Sequence, residues 1–246
     1  MICEKEKILF IHIPRCGGYG VETFFELKDH TKRHNTIHEY LSFDIGSLSY
    51  DKWDYAFAFV RNPYDRLVSL YEFFKRQPGW KNLATNGDSV NIVESVMWGP
   101  VTANPYNKTF DEWIEGLSKV DFKNLKKNNP QKLFQPMVNY VDDNVNILKF
   151  ENKTVEMEGL LYGGILSEEK LIKYIVSGNK WESDTLFYLS GYMPVGYRSS
   201  QYNKWRIGCP IPAHIHANYL QNKKTLQRVN DIYVEDFEKF NYIIFE

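Results

Sequence analysis

Three short stretches of the chain are largely apolar, and helical periods lie between them. Residues 8–13, "ILFIHI", break the apolar run only at His12, and residues 55–60, "YAFAFV", do not break it at all. Runs of this length predict strands buried on both faces, as in a parallel sheet. "VNILKF", residues 145–150, predicts a third strand. Between them the period changes. Tyr64, Leu67, Val68, Tyr71 and Phe74 fall at helical spacing, and shorter helical patterns occupy residues 21–27, 109–119 and 167–177. Residues 34–41 read as a loop running into a short helix, and 222–240 as a long amphipathic helix. Residues 77–108, with "QPGW", "TNGD", "WGP" and "NPYN", predict an irregular cover carrying one short helix near 90–97. Strands alternating with helices define an α/β class: one domain over residues 1–246, a central, mainly parallel sheet flanked by helices, and ligands at the carboxyl ends of its strands.

Composition narrows the partners. A chain of 246 residues with net charge −1 builds a real core and does not have the charge of a general nucleic-acid binder. The lysines of "KNLKK", residues 123–127, read as a solvated face. Three widely spaced cysteines, Cys3, Cys16 and Cys209, provide neither a disulfide framework nor zinc spacing. No apolar run reaches the roughly 20 residues needed to span a bilayer, and "MICEKEK" lacks a signal-peptide core. The expected location is therefore cytoplasmic.

The chemistry lies at two strand ends. After the first strand comes "PRCGGYG": a proline, Arg15, and three glycines in four residues before an apolar helical pattern resumes. Such a turn presents backbone N–H groups and a helix start beside a fixed cation, an arrangement suited to a phosphate-like anion. The alternative is a tight connection whose glycines only permit close packing. The loop is not a Walker P-loop, since no Lys-Ser or Lys-Thr follows the glycines. The second strand end is "FVRNPYDRLVSLY". Arg61 ends the strand, Pro63 suits a first helical turn, and Ser69 stands about 9 Å along the helix axis, a length an extended arginine spans. Arg61 and Ser69 could grip one phosphate between them; alternatively Arg61 is a surface ion-pair partner and Ser69 a filler.

Taken together, these motifs resemble the PAPS-dependent sulfotransferases, in particular the branch containing carbohydrate O-sulfotransferases. "FIHIPRCGG" is similar to the family's 5′-phosphosulfate loop, and "FAFVRNPYDRLVSLY" to its 3′-phosphate motif. "RHNTIHEYL", "FQPMVNYV", "LKFEN" and the ending "VNDIYVEDFEKFNYIIF" are weaker likenesses. The resemblance implies a P-loop-like sulfotransferase fold and 3′-phosphoadenosine 5′-phosphosulfate (PAPS) as sulfuryl donor. It places Arg15, Cys16, Gly17, Gly18, Tyr19 and Gly20 around the 5′-phosphosulfate, and Arg61 and Ser69 on the 3′-phosphate. No metal is expected: His34 and His38 are four apart, but no third ligand is evident. Arg15 stands where many members have lysine, and its permanent charge assigns it electrostatic stabilisation of the leaving group. Tyr19 and Gly20 replace a common Thr-Ser pair, so two phosphate-binding hydroxyls are missing.

For the general base the resemblance points to His34, with His38 and Glu39 as competitors. His12, inside a strand, reads as a buried, hydrogen-bonded residue, and His214 and His216 are uninformative. The acceptor is expected to carry a hydroxyl, on a carbohydrate or a small molecule. Residues 77–108, with Trp80, Trp98 and Tyr106, are expected to line its mouth together with loop 192–208, which carries Arg198, Lys204 and Arg206. Trp113 and the other aromatics are as well suited to core. Two further classes stay open: a P-loop-like nucleotide kinase, and a non-catalytic nucleotide or glycan binder on the same fold.

Overall fold

The computed structural model describes residues 2–18, 21, 22, 25, 27, 34–42, 53–76, 108–125, 129–165 and 218–246. Along the chain the elements are β1 (Ile2–Cys3), β2 (Ile8–Ile11), α1 (Ile37–Leu41), β3 (Tyr55–Val60), α2 (Pro63–Arg76), α3 (Phe110–Leu117), β4 (Asn146–Lys149), α4 (Lys153–Tyr162) and α5 (Lys223–Lys239). Short 3₁₀ turns at Phe122–Asn124, Pro130–Phe134, Met137–Tyr140 and Phe150–Asn152 connect them. The chain divides into two compact units: one holds Met1–Arg61 and Met137–Pro210, the other Asn62–Pro136 and Ile211–Glu246.

The first unit contains the sheet, in the order β1-β2-β3-β4. β2, β3 and β4 run parallel, with Phe10 opposite Phe57 and Val60 opposite Lys149. β1 is an antiparallel edge paired through Cys3 and Ile8; two residues are too few to leave a period in the sequence. β2 stops at Ile11, two residues short of the predicted end. The Ile13 N–H turns back to the Ile11 carbonyl at 3.2 Å, and Pro14 has no N–H with which to continue a ladder. All of β2 and most of β3 are buried, as an apolar run with no polar alternation requires. The parallel strands therefore deliver His12, Arg61 and Phe150, the residues that follow them, to one edge of the sheet.

The second unit is helical. Pro63 opens α2, and Asn62 caps it, its Oδ1 accepting the Tyr64 N–H at 3.0 Å and its carbonyl the Arg66 N–H at 2.9 Å. α3 begins with a capping box: the Thr109 hydroxyl accepts the Glu112 N–H at 3.3 Å, and Glu112 accepts the Thr109 N–H at 2.8 Å. Tyr64, Leu67, Val68, Tyr71, Trp113, Phe134, Val229 and Tyr233 form one core. Trp113 is thus a core residue. Arg66 is buried too, and its guanidinium donates to the carbonyls of Gln135 and Leu133 at 2.9 and 3.0 Å. α5 departs from helical geometry at Tyr233, whose hydroxyl donates to the Phe134 carbonyl at 2.5 Å. The cover 77–107, the helix expected at 167–177 and the loop 192–208 lie outside the described residues.

Candidate functional site

The loop after β2 is shaped by two backbone reversals. Arg15 has φ 65° and Gly17 has φ 79°. The second is a conformation glycine adopts freely. The first costs arginine roughly 1 kcal/mol or more; strained residues of this kind cluster at functional sites. Between them, Cys16 is buried. Its N–H donates to the Ile13 carbonyl at 3.3 Å, and its Sγ lies 3.7 Å from the Met137 Sδ. Cys16 therefore anchors the turn. Helical backbone resumes at Gly18, where the first N–H groups have no intrahelical acceptor.

Gly18 sits on the face of the His12 ring. A Cβ at Gly18 would lie 2.6 Å from His12 Cγ and closer still to Cδ2 and Nε2, so a close approach, rather than a turn, requires glycine here. His12 Nδ1–H donates to Glu22, and both side chains are buried. As the sequence suggested, His12 is a structural histidine. It links the end of β2 to the helical segment beyond the glycines.

His34 reaches the same loop. Its Nδ1 lies 3.0 Å from the His12 carbonyl, and its ring meets the His12 ring edge-on at 4.6 Å between centroids. A carbonyl only accepts, so Nδ1 carries the proton, and in the neutral ring Nε2 keeps its lone pair. Of its competitors, Glu39 is engaged in the α1 capping box, accepting the Thr36 N–H at 2.8 Å, and His38 is exposed on the same helix.

Arg61 is 5% exposed although it ends a strand. Its N–H points at the Met137 Sδ at 3.5 Å, and its Nη1 donates to the Arg15 carbonyl at 3.4 Å. Its guanidinium lies 4.6 Å from the centre of the Phe150 ring. Met137 thus touches both the loop and Arg61, a tie that a lone methionine in "FQPMVNYV" does not announce. The same ring carries Lys153 at 4.6 Å. Burial first, and then the Arg61 charge, lower the Lys153 pKa to about 7.

The first unit therefore assembles Arg15, Cys16, Gly17, Gly18, His34 and Arg61. Tyr19 and Gly20 lie outside the described residues. Ser69 is buried in α2 of the second unit. Among the described residues no cluster of three or more His, Cys, Asp or Glu could hold a metal.

At the ends of the parallel strands the described residues thus bring together a glycine loop, the buried Arg61 and His34, whose Nδ1 is bonded to the His12 carbonyl. The chain belongs to the sulfotransferase family: the family's model matches residues 1–159, which include every one of these groups. The members of that family are enzymes that use PAPS. The ending "VNDIYVEDFEKFNYIIF" falls beyond the matched residues. Searches of curated proteins and of solved structures returned no match.

Proposed function

We propose that the protein transfers the sulfuryl group of PAPS to a hydroxyl on a carbohydrate, with His34 as general base. The observation that supports this reading is the His34 Nδ1–H bond to the His12 carbonyl, which sets the tautomer and holds the ring beside the strand end that leads into the glycine loop. The residues fit an anionic donor. Arg15 stands in the loop with a left-handed backbone, and the buried Arg61 guanidinium bonds the Arg15 carbonyl, so two cations share the strand ends. In this reading Gly17, Gly18, Tyr19 and Gly20 offer N–H groups to the 5′-phosphosulfate, with Cys16 holding the turn. Arg61 and Ser69 bind the 3′-phosphate; the part of Ser69 rests on its eight-residue separation from Arg61 in the sequence. His34 Nε2 takes the acceptor's proton as the acceptor oxygen bonds to sulfur. The sulfur–oxygen bond to the 5′-phosphate breaks, and Arg15 stabilises the charge left on that phosphate. The carbohydrate assignment rests on the likeness of "FIHIPRCGG" to the loop of carbohydrate O-sulfotransferases.

Labelled sulfate transfer from PAPS to a panel of carbohydrates, alcohols, phenols and amines tests the reaction. Transfer to a carbohydrate is expected, together with a loss of about 10²-fold or more in His34→Asn. Full activity in His34→Asn would remove His34 as base. Stabilisation by ATP with magnesium but not by 3′-phosphoadenosine 5′-phosphate (PAP) would favour the kinase alternative, and binding of PAP without transfer the non-catalytic one.

A further inference from the structure

Lys153 opens α4 directly after the 3₁₀ turn that follows β4, and it is 7% exposed. Its ammonium lies over the Phe150 ring, the ring that also carries the Arg61 guanidinium. Among the described residues no carboxylate pairs with it. Of the carboxylates nearest in the chain, Glu151 is exposed and Glu156 accepts the Lys149 N–H at 3.3 Å. From the β2 loop the charged groups are Arg15 and the His12–Glu22 pair. The Phe150 ring only partly compensates the buried Lys153 ammonium. The arrangement is relieved if Lys153 gives up its proton or if an anion joins it.

We infer that Lys153 is a second cationic ligand of the donor's 3′-phosphate, acting with Arg61 beside Phe150. The inference rests on the donor reading above and adds to it a residue that none of the sequence motifs marked. A phosphate monoester suits the pair because it carries nearly two negative charges near neutral pH, one for each cation. The ammonium is required for the contact, and burial beside Arg61 leaves it only partly protonated at pH 7 in the free enzyme. The nucleotide therefore draws in a proton when it binds above that pH.

Calorimetry of PAP binding at pH 8, in two buffers of different ionisation heat, reads that proton directly. The wild-type enzyme is expected to take up between about half and one proton per PAP. Lys153→Met should take up none and bind PAP about tenfold or more weakly at pH 6.5. Lys153→Arg keeps a charge that does not titrate, so it should bind PAP without proton uptake, which separates lost charge from lost folding. Adenosine 5′-phosphosulfate has no 3′-phosphate, and its affinity should be the same in wild type and Lys153→Met. Proton-silent PAP binding by the wild type, with unchanged affinity in Lys153→Met, overturns the Lys153 inference and leaves the donor reading standing. An equal loss for both nucleotides also overturns it. Absence of PAP binding by the wild type at every pH overturns the donor reading and this inference together.

Discussion

Gly18→Ala sets two effects against each other, and the structure decides between them. Alanine in place of glycine in helical backbone gains up to about 1 kcal/mol in propensity. At Gly18 the added methyl would sit 2.6 Å from His12 Cγ and nearer to two other ring atoms. Overpacking of this kind costs about 1–3 kcal/mol. The His12 ring has no cheap escape, because Nδ1 is bonded to buried Glu22, and stripping a partner from a buried polar group adds about 1–3 kcal/mol. A net loss near 2 kcal/mol is expected, which in a chain of this size lowers Tm by about 4–8 °C. Thermal unfolding followed by circular dichroism measures it. The loss should be partly relieved in Gly18→Ala/His12→Ala, where the ring is gone, by a coupling of about 1 kcal/mol or more. Because the His12 carbonyl holds His34, the single variant should also lose sulfuryl transfer. A Tm equal to or above wild type, or strictly additive effects in the pair, would refute the packing argument.

The strained Arg15 gives a second expectation: Arg15→Gly keeps or raises Tm, since glycine tolerates φ 65°, yet turnover falls by about 10²-fold or more. A variant that turns over normally would remove Arg15 from the chemistry. Lys153 gives a third, in stability against pH. Its folded pKa is lowered to about 7 while the unfolded chain holds the proton to higher pH, so between about pH 7 and 10 the unfolded state binds more protons. In the nucleotide-free enzyme stability should therefore rise with pH through that window, by at most about 1.4 kcal/mol per pH unit from this group. Wild type and Lys153→Met compared by urea unfolding at pH 6.5 and 8.5 show it, and parallel pH trends would rule it out. In the second unit, Thr109→Ala removes the α3 capping box and should cost about 1 kcal/mol; an unchanged urea midpoint would mean that the box contributes nothing.

β2 and β3 were legible because burial on both faces leaves its mark in sequence. Residues 55–60 read as a strand and form β3 over Tyr55–Val60; no polar position competes with that reading. β2 ended early because Pro14 acts on the backbone before the apolar run gives out. β1 escaped because its pairing is decided by the turn before β2 rather than by its own period. The second unit, with its buried Arg66 held by two backbone carbonyls, shows the complementary difficulty: an arginine on a helix reads as surface until the carbonyls that receive it are placed.

The same distinction separates the parts of the site. The proposed donor loop would work through local backbone, so its glycines and Arg15 stand out in the sequence at fixed spacing, and Arg61 stands out at the end of its strand. Lys153 is set apart by its burial, which no local pattern encodes. In "LKFENK" it is one lysine among charged and polar neighbours, and it shares the Phe150 ring with Arg61 only because β4 runs parallel to β3. The His34 tautomer is of the same kind: the sequence offers a histidine, and the His12 carbonyl, 22 residues away, decides which nitrogen is basic. If that carbonyl is what holds His34 in register, moving it should impair transfer without touching either histidine. Pro14→Ala restores an N–H that could extend the β2 ladder and shift the strand end. It should lower sulfuryl transfer while PAP still binds through Arg61. Equal losses in PAP affinity and transfer would mean that the strand end serves the donor rather than the base.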